Sequence, residues 1–267
     1  MIQGYLDESG IQEGAPVCVV GGFFGGPGQF KRFGKAWQDT LNKYKISEFH
    51  AKEFWAFTAN AERAGQYGSW SDNRARSFIR ELTEVIYEFG RKIHPIATVL
   101  VVDSFNRLTY NQRRYLTGGA LRKGKFVTSG CPSKTYFLPF QSVIIGIADH
   151  APVGGKAHFA FDFNKNFKGY ALDLYALMKQ SGITVRDRLG EIAFPTGQEA
   201  VQLQAADLLC YLCYQYGQQR IINRSERPNE ILKRIITGTI LDKDFLFLDD
   251  AGLARLLADV GLPPDGV

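Results

Sequence analysis

Several residue types that would decide a protein's class are scarce in this sequence or missing from it. Four cysteines (Cys18, Cys131, Cys210 and Cys213) among 267 residues are too few for a disulfide scaffold, and a reducing cytoplasm is the expected location. No long apolar run exists. The uncharged stretch 14–30 is broken by Gly and Pro, so no membrane partner is expected. The N-terminus, Met1-Ile-Gln-Gly-Tyr-Leu-Asp-Glu8, lacks a basic start and carries acids where a secretory leader would be apolar. The glycine-rich stretch 21–28 is followed neither by Lys-Ser/Thr nor by a capped helix with a later acid, which excludes phosphate-loop and dinucleotide-binding readings. Gly-x-Ser-x-Gly is absent, which leaves Ser9 a poor hydrolase nucleophile. Cys210-x-x-Cys213 has no second pair to complete a zinc site and reads as two small core residues.

What is present is an ordinary folding composition, 45% hydrophobic and 22% charged, with an uneven charge distribution. Between Ser104 and Ala148 there are seven Lys/Arg and no Asp or Glu, so this segment carries +7 and the remainder −2 of the net +5. Aromatics such as Phe105, Tyr110, Tyr115 and Phe126 interleave with the cations. Cations bind phosphates and aromatic faces stack on unpaired bases, so Arg113, Arg114, Arg122, Lys123 and Lys125 are candidate contacts for a DNA or RNA strand. A solvated basic loop is the plainer reading.

Strands are expected over Ile2–Asp7, Val17–Phe24, Ile93–Val102, Ala157–Phe163 and Glu191–Phe194. Helices are expected over 28–44, 72–89, 139–148, 170–180, 201–216, 229–236 and 251–260, from apolar spacing of three to four. Two strands followed by alternation of strands and helices predict an α/β fold, a mixed sheet flanked by helices. With no internal repeat or Pro/Ser-rich linker, one domain over 1–267 is expected, with a basic insertion or long loop at about 104–136 and a helical extension at about 220–267.

Four places carry chemistry. The helix Val201-Gln-Leu-Gln-Ala-Ala-Asp-Leu-Leu-Cys-Tyr-Leu-Cys-Tyr214 is apolar on every side, yet Asp207 sits in its middle. A buried carboxylate needs a cation, a donor network or a proton. Gln204 lies a turn before it and Tyr211 a turn after. At Leu6-Asp7-Glu8-Ser9-Gly10, alternation sends the two acids to opposite faces, so one of them faces a site; Asp7, on a rigid strand, is the choice. In His158-Phe-Ala-Phe-Asp162, alternation places Asp162 opposite the phenylalanines. Asp103 also ends a strand and reads as an edge residue. In Ser47-Glu-Phe-His-Ala-Lys-Glu-Phe54, a helix would put His50 and Glu53 on one face.

Carboxylates from two strand ends and a buried helix repel one another unless a multivalent cation neutralises them, and hard oxygen ligands select Mg²⁺ or Mn²⁺. Paired ions of this kind activate water and stabilise the leaving oxygen of a phosphodiester. The basic segment predicts the same polyanionic substrate from a separate feature.

Tyr5-Leu-Asp-Glu-Ser-Gly10, Phe49-His-Ala-Lys-Glu-Phe54, the strand ending in Asp162 and Gln202-Leu-Gln-Ala-Ala-Asp-Leu-Leu209 resemble the family called domain of unknown function 3800, over roughly residues 3–215. That family is marked by an N-terminal Asp-Glu-Ser-Gly and a late Gln-x-x-Asp. The resemblance implies a ribonuclease H-like sheet with Asp7 on its central first strand, Asp162 on a neighbouring strand and Asp207 on a late helix. Members carry a Ser or Asp before the late helix, where this chain has Phe194-Pro-Thr-Gly-Gln-Glu-Ala200. The family has no general activity assigned.

The expectation is therefore a metal-dependent nuclease active in conflict between bacteria and phages. Asp7, Asp162 and Asp207 bind Mg²⁺ or Mn²⁺, Glu8 or Glu53 supplies a fourth carboxylate, Gln204 orients the site and His50 assists with protons or substrate. The alternative is a non-catalytic nucleic-acid-binding or adaptor module that keeps the acids for stability. A two-carboxylate glycosidase gains nothing from the seven cations.

Overall fold

The computed structural model describes residues 1–58, 63–119, 121–122, 125–126, 130–163, 167–181, 183–223, 227–237, 244–259 and 261. In chain order the elements are β1 (Ile2–Ser9), β2 (Val17–Gly25), α1 (Pro27–Tyr44), α2 (Ala51–Phe54), α3 (Asp72–Phe89), β3 (Ile93–Val101), α4 (Val102–Arg107), α5 (Tyr110–Leu116), β4 (Leu121–Arg122), β5 (Lys125–Phe126), α6 (Phe137–Asp149), β6 (Ala157–Phe161), α7 (Lys168–Gln180), β7 (Leu189–Ala193), α8 (Gln202–Asn223), α9 (Glu230–Thr237), β8 (Phe245–Leu248) and α10 (Asp250–Asp259).

Six strands form one mixed sheet in the order β7-β6-β1-β2-β3-β8. β1, β2 and β3 are an antiparallel meander, β6 runs parallel to β1, β7 parallel to β6 and β8 parallel to β3. Every residue of β2 is buried, as the continuously apolar Val-Cys-Val-Val-Gly-Gly-Phe-Phe-Gly requires of a strand covered on both faces. Alternate residues feed two cores. Leu6, Val20, Leu100 and Phe161 pack with Phe140 and Ile144 of α6 and Ala171 of α7. Val19, Phe23 and Val99 pack with Phe33 and Trp37 of α1, Phe78 and Leu82 of α3, and Leu209 of α8. Helices therefore flank the sheet on both faces, and among the described residues none is long and apolar enough to cross a membrane.

α8 lies against β1 and β2. On that face Asp7 pairs with Gly21, which in turn pairs with Ala97, a row of short side chains that lets a helix approach closely. Burial of α8 holds through its first three turns and fades toward its C-terminal end, where Ile221 and Ile222 are exposed. Thr196 and Glu199, whose spacing of three in the sequence suits a capping box at the start of this helix, close a separate turn before it. Thr196 N–H and Oγ1 both donate to Glu199, and α8 begins three residues later.

Four expectations about elements differ from the structure. The basic segment is not only loop: Thr109 and Gln112 form a reciprocal cap that starts α5, and β4 and β5 pair as a short hairpin. The C-terminal region is not only helical, since Phe245–Leu248 adds β8 to the sheet beside β3; a four-residue apolar run has no period by which to be recognised. β6 stops at Phe161, before Asp162. Finally, 47–50 is not helical and only Ala51–Phe54 is, with His50 at the cap position in extended backbone (φ −126°, ψ 116°).

Candidate functional site

Parallel pairing sets the first two acids side by side. Leu6 is opposite Phe161, so Asp7 in β1 and Asp162, the residue directly after β6, follow as neighbours, tied by the Asp162 N–H donating to the Leu6 carbonyl at 2.9 Å. Asp7 is 9% exposed and its Oδ1 accepts the Glu8 N–H at 2.7 Å. Its carbonyl accepts a bond from the Cys210 thiol of α8 at 3.1 Å, so Cys210 fastens the helix to the strand as well as filling space. All four cysteines are free thiols.

Asp207 lies one turn before Cys210 and therefore faces the same strand. Its Oδ2 accepts the Ala51 N–H at 2.8 Å, which holds the start of α2 against α8. The segment before α2 then projects Glu48 and His50 to the same side while Phe49 is fully buried between them. His50 Nε2 is 3.6 Å from Glu48 Oε2 and its Nδ1 is 4.0 Å from Asp207 Oδ2. Gln204 joins three segments: its Oε1 accepts Trp37 Nε1–H (3.2 Å) and Phe49 N–H (3.0 Å), and its Nε2 donates to the Gly197 carbonyl (3.2 Å).

The outcome is a cavity of about 300 Å³ lined by Asp7, Glu48, His50, Asp162, Gln204 and Asp207, with Lys52 and Phe163 on its wall. Among the described residues no Lys or Arg is ion-paired with Asp7, Asp162 or Asp207; the His50 ring comes within 4.0 Å of Asp207. The carboxyls respond accordingly. Burial, then Asp207, Glu8 and Asp162, hold Asp7 well above the usual carboxylate range, against the Glu8 amide. Asp207 is pushed up to about 6 by burial, with Asp162 and Glu48 adding to the rise and the Ala51 amide and His50 opposing it. Asp162 is raised by burial and by Glu48, against the Phe163 amide and His50.

Of the site residues expected from sequence, Asp7, Asp162, Asp207, Gln204 and His50 meet in this cavity. Glu8 does not: it pairs with Val20 and lies on the opposite face, where its charge raises the Cys18 and Tyr136 acid groups. Glu53 does not line the cavity either. Its Oε1 accepts the Gln66 N–H at 3.0 Å and occupies the space a side chain on Gly65 (φ +56°) would need, so its work is to hold a turn. The fourth carboxylate is Glu48. A helical period through 47–54 pairs His50 with Glu53, whereas the period of two in an extended segment pairs His50 with Glu48; the Ser-Glu-Phe-His alternation carried that signal.

Among the described residues, none of the basic segment lines the cavity. Arg113 and Arg114 lie on α5, with Arg113 donating to the Pro132 carbonyl at 3.4 Å. Arg122 and Lys125 have described backbones in β4 and β5 but undescribed side chains, and Lys123 lies outside the described residues. The end of the segment, Ser133 to Tyr136, lines a separate cavity of about 360 Å³ with the β1–β2 turn and Phe167.

Among the described residues no three His, Cys, Asp or Glu side chains converge as a ready-made metal centre. In kind, the donors suit a hard divalent cation: they are carboxylate oxygens, burial and neighbouring acids raise the proton affinity of the aspartates, and among the described residues no Lys or Arg is ion-paired with them. A larger cavity, about 580 Å³, lies between α3 and α9, away from every expected site residue, and is walled by Arg76, Arg80, Lys233 and Arg234. In comparisons with known proteins, no family model and no curated protein matches the chain.

Proposed function

We propose that this chain is a Mg²⁺- or Mn²⁺-dependent nuclease that hydrolyses phosphodiesters of DNA or RNA on a ribonuclease H-like fold, as the resemblance to the domain of unknown function 3800 family implies. One observation carries the reading: Asp7, Asp162, Asp207 and Glu48 share one cavity without a Lys or Arg partner among the described residues, and burial, with neighbouring carboxylates adding to it, raises the proton affinity of the three aspartates. Support for the fold comes from an acid near the end of a central first strand, a second directly after its parallel neighbour and a third on a late helix packed against that strand.

Asp7, Asp162 and Asp207 would hold the ion, with Glu48 beside them. When bound, the ion supplies an activated water and neutralises charge on the phosphate. The chain's own residues do the rest. Gln204 fixes the 48–50 segment relative to α8 through the Phe49 amide. His50, half exposed and within 4.0 Å of two carboxylates, is placed to carry a proton between cavity and solvent. Lys52, on the cavity wall, offers a phosphate contact.

A second reading, a non-catalytic nucleic-acid-binding or adaptor module, draws on the structural bonds of Asp207 and Gln204 and on the absence of a ready-made three-ligand centre among the described residues. A thermal-shift titration with Mn²⁺, run beside a cleavage assay on labelled single- and double-stranded DNA and RNA, separates the two. The nuclease reading expects Mn²⁺ to raise the melting temperature and to switch on cleavage. Neither effect in the intact chain leaves the second reading standing.

A further inference from the structure

We propose that Phe163, backed by Lys168, is a stacking platform that seats an unpaired base of a nucleic-acid strand beside the carboxylate cavity. The inference deepens the nuclease reading by naming its substrate class, a single-stranded segment, and rests on that reading for the identity of the ligand.

Phe163 breaks a pattern. Phe159 and Phe161 are buried in the core, and alternation would send Phe163 after them. Instead β6 ends at Phe161, and the Phe163 ring lines the same cavity as Asp162 while remaining 46% exposed. An apolar ring left in water at the mouth of a charged cavity gains nothing for folding. The Lys168 ammonium lies over the Phe163 ring, 5.2 Å from its centroid, and 5.9 Å from that of Phe194, so a cation backs one face of the ring and a base would take the other. Ring and ammonium together match a nucleotide, whose base is a flat π-surface and whose phosphate is an anion. The other aromatic near Asp207, Tyr211, is already stacked on Trp55 (4.9 Å, 5°) and is not free to take a base. A base inside a duplex has both faces covered by its neighbours, so only an unpaired or splayed one can use Phe163.

The test measures binding apart from cleavage. Fluorescence anisotropy of a labelled single-stranded 12-mer, and of the same sequence as a blunt duplex, is recorded in Ca²⁺ on the full chain carrying Asp7→Asn. Phe163→Leu, which keeps apolar bulk and removes the π-face, weakens single-strand binding about tenfold, the worth of one stacked base. Phe163→Tyr stays within about twofold, and the duplex is affected less than about twofold by either. Equal single-strand affinity for Phe163→Leu and Phe163→Tyr overturns the platform, as does equal loss on single strand and duplex, or binding of a neutral oligosaccharide in place of the 12-mer. Cleavage with Mn²⁺ in the chain with Asp7 intact is read independently. If cleavage occurs and Phe163→Leu leaves KM unchanged, the platform falls and the nuclease stands. If no cleavage occurs but the leucine variant loses single-strand binding, the nuclease falls and the platform stands as part of a binding module.

Discussion

Two cavities of this molecule treat charge in opposite ways. The larger, between α3 and α9, is walled by four cations, and acids meet two of them: Arg234 pairs with Glu84, and Lys233 with Glu230. Nearby, Lys43 pairs with Glu81 and holds that carboxyl below its usual range. The smaller cavity collects carboxylates that burial and one another push the other way. Paired charges at a surface cost little and add little. Like charges gathered in a half-closed space are a standing cost, which a fold retains where a bound cation or a reaction offsets it. The contrast is why the smaller cavity, and not the larger, is the candidate site.

The strongest way to break the contrast is to remove one member of the acidic group. Asp7→Asn or Asp207→Asn should lower Mn²⁺-dependent cleavage by ~10³-fold or more while leaving the circular dichroism spectrum unchanged. Full activity in either variant would falsify the assignment.

A second effect concerns stability. The folded chain keeps a proton on Asp207 up to about pH 6, whereas the unfolded chain releases it near pH 4. The folded state thus binds more protons in that interval, so this contribution is fully present below about pH 4 and is lost as pH rises through about 6. With a chelator present, Asp207→Asn should therefore melt higher than wild type at pH 7.5, by on the order of 2 kcal/mol, and the difference should vanish toward pH 4. A difference that instead grows on acidification would mean that Asp207 is stabilised as the anion.

Gln204→Ala removes the acceptor of two N–H groups and one donor. It should cost about 2 kcal/mol, seen as a fall of roughly 5 °C in melting temperature, and should weaken Mn²⁺ binding by loosening the Glu48 segment.

Gly197→Ala sharpens the contrast further. A methyl group there runs into Glu48 Oε1, the movable end of a side chain, so stability should change by less than about 1 kcal/mol while Mn²⁺ affinity drops. Glu53→Gln should leave Mn²⁺ affinity unchanged, which isothermal titration reads directly. Smallest of all, Glu81→Gln, which breaks a paired surface acid, should cost no more than about 0.5 kcal/mol.

How much of this was legible in the sequence varies with the physics of each part. α3 is readable from end to end because every signal agrees: Ser71 accepts the Arg74 amide as a cap, and Phe78, Leu82, Val85 and Ile86 recur on one face. Asp207 is readable because a carboxylate in a helix apolar all round has no ordinary reason to be there. Glu48 was not, because the choice between Glu48 and Glu53 depends on whether six residues are extended or helical. That choice is settled by Asp207 and Gln204, about 155 residues away, each of which accepts an amide hydrogen from this segment. β8 escaped notice for a similar reason: its four residues become a strand through pairing with β3.

The parallel register that seats Leu6 beside Phe161 has an implication for how such a pocket could change over generations. Asp7 stands in β1, and Asp162, directly after β6, is tied to it by its amide, so two of the four acids are fixed by a lattice whose spacing no point mutation alters, because hydrogen-bonded strands keep roughly 4.8 Å between them. The other two hang from a helix and a short tether that can slide. Diversification of reactivity in descendants of this chain should therefore accumulate in 47–52 and 196–204, with Asp7 and Asp162 as the fixed datum against which each variation is gauged.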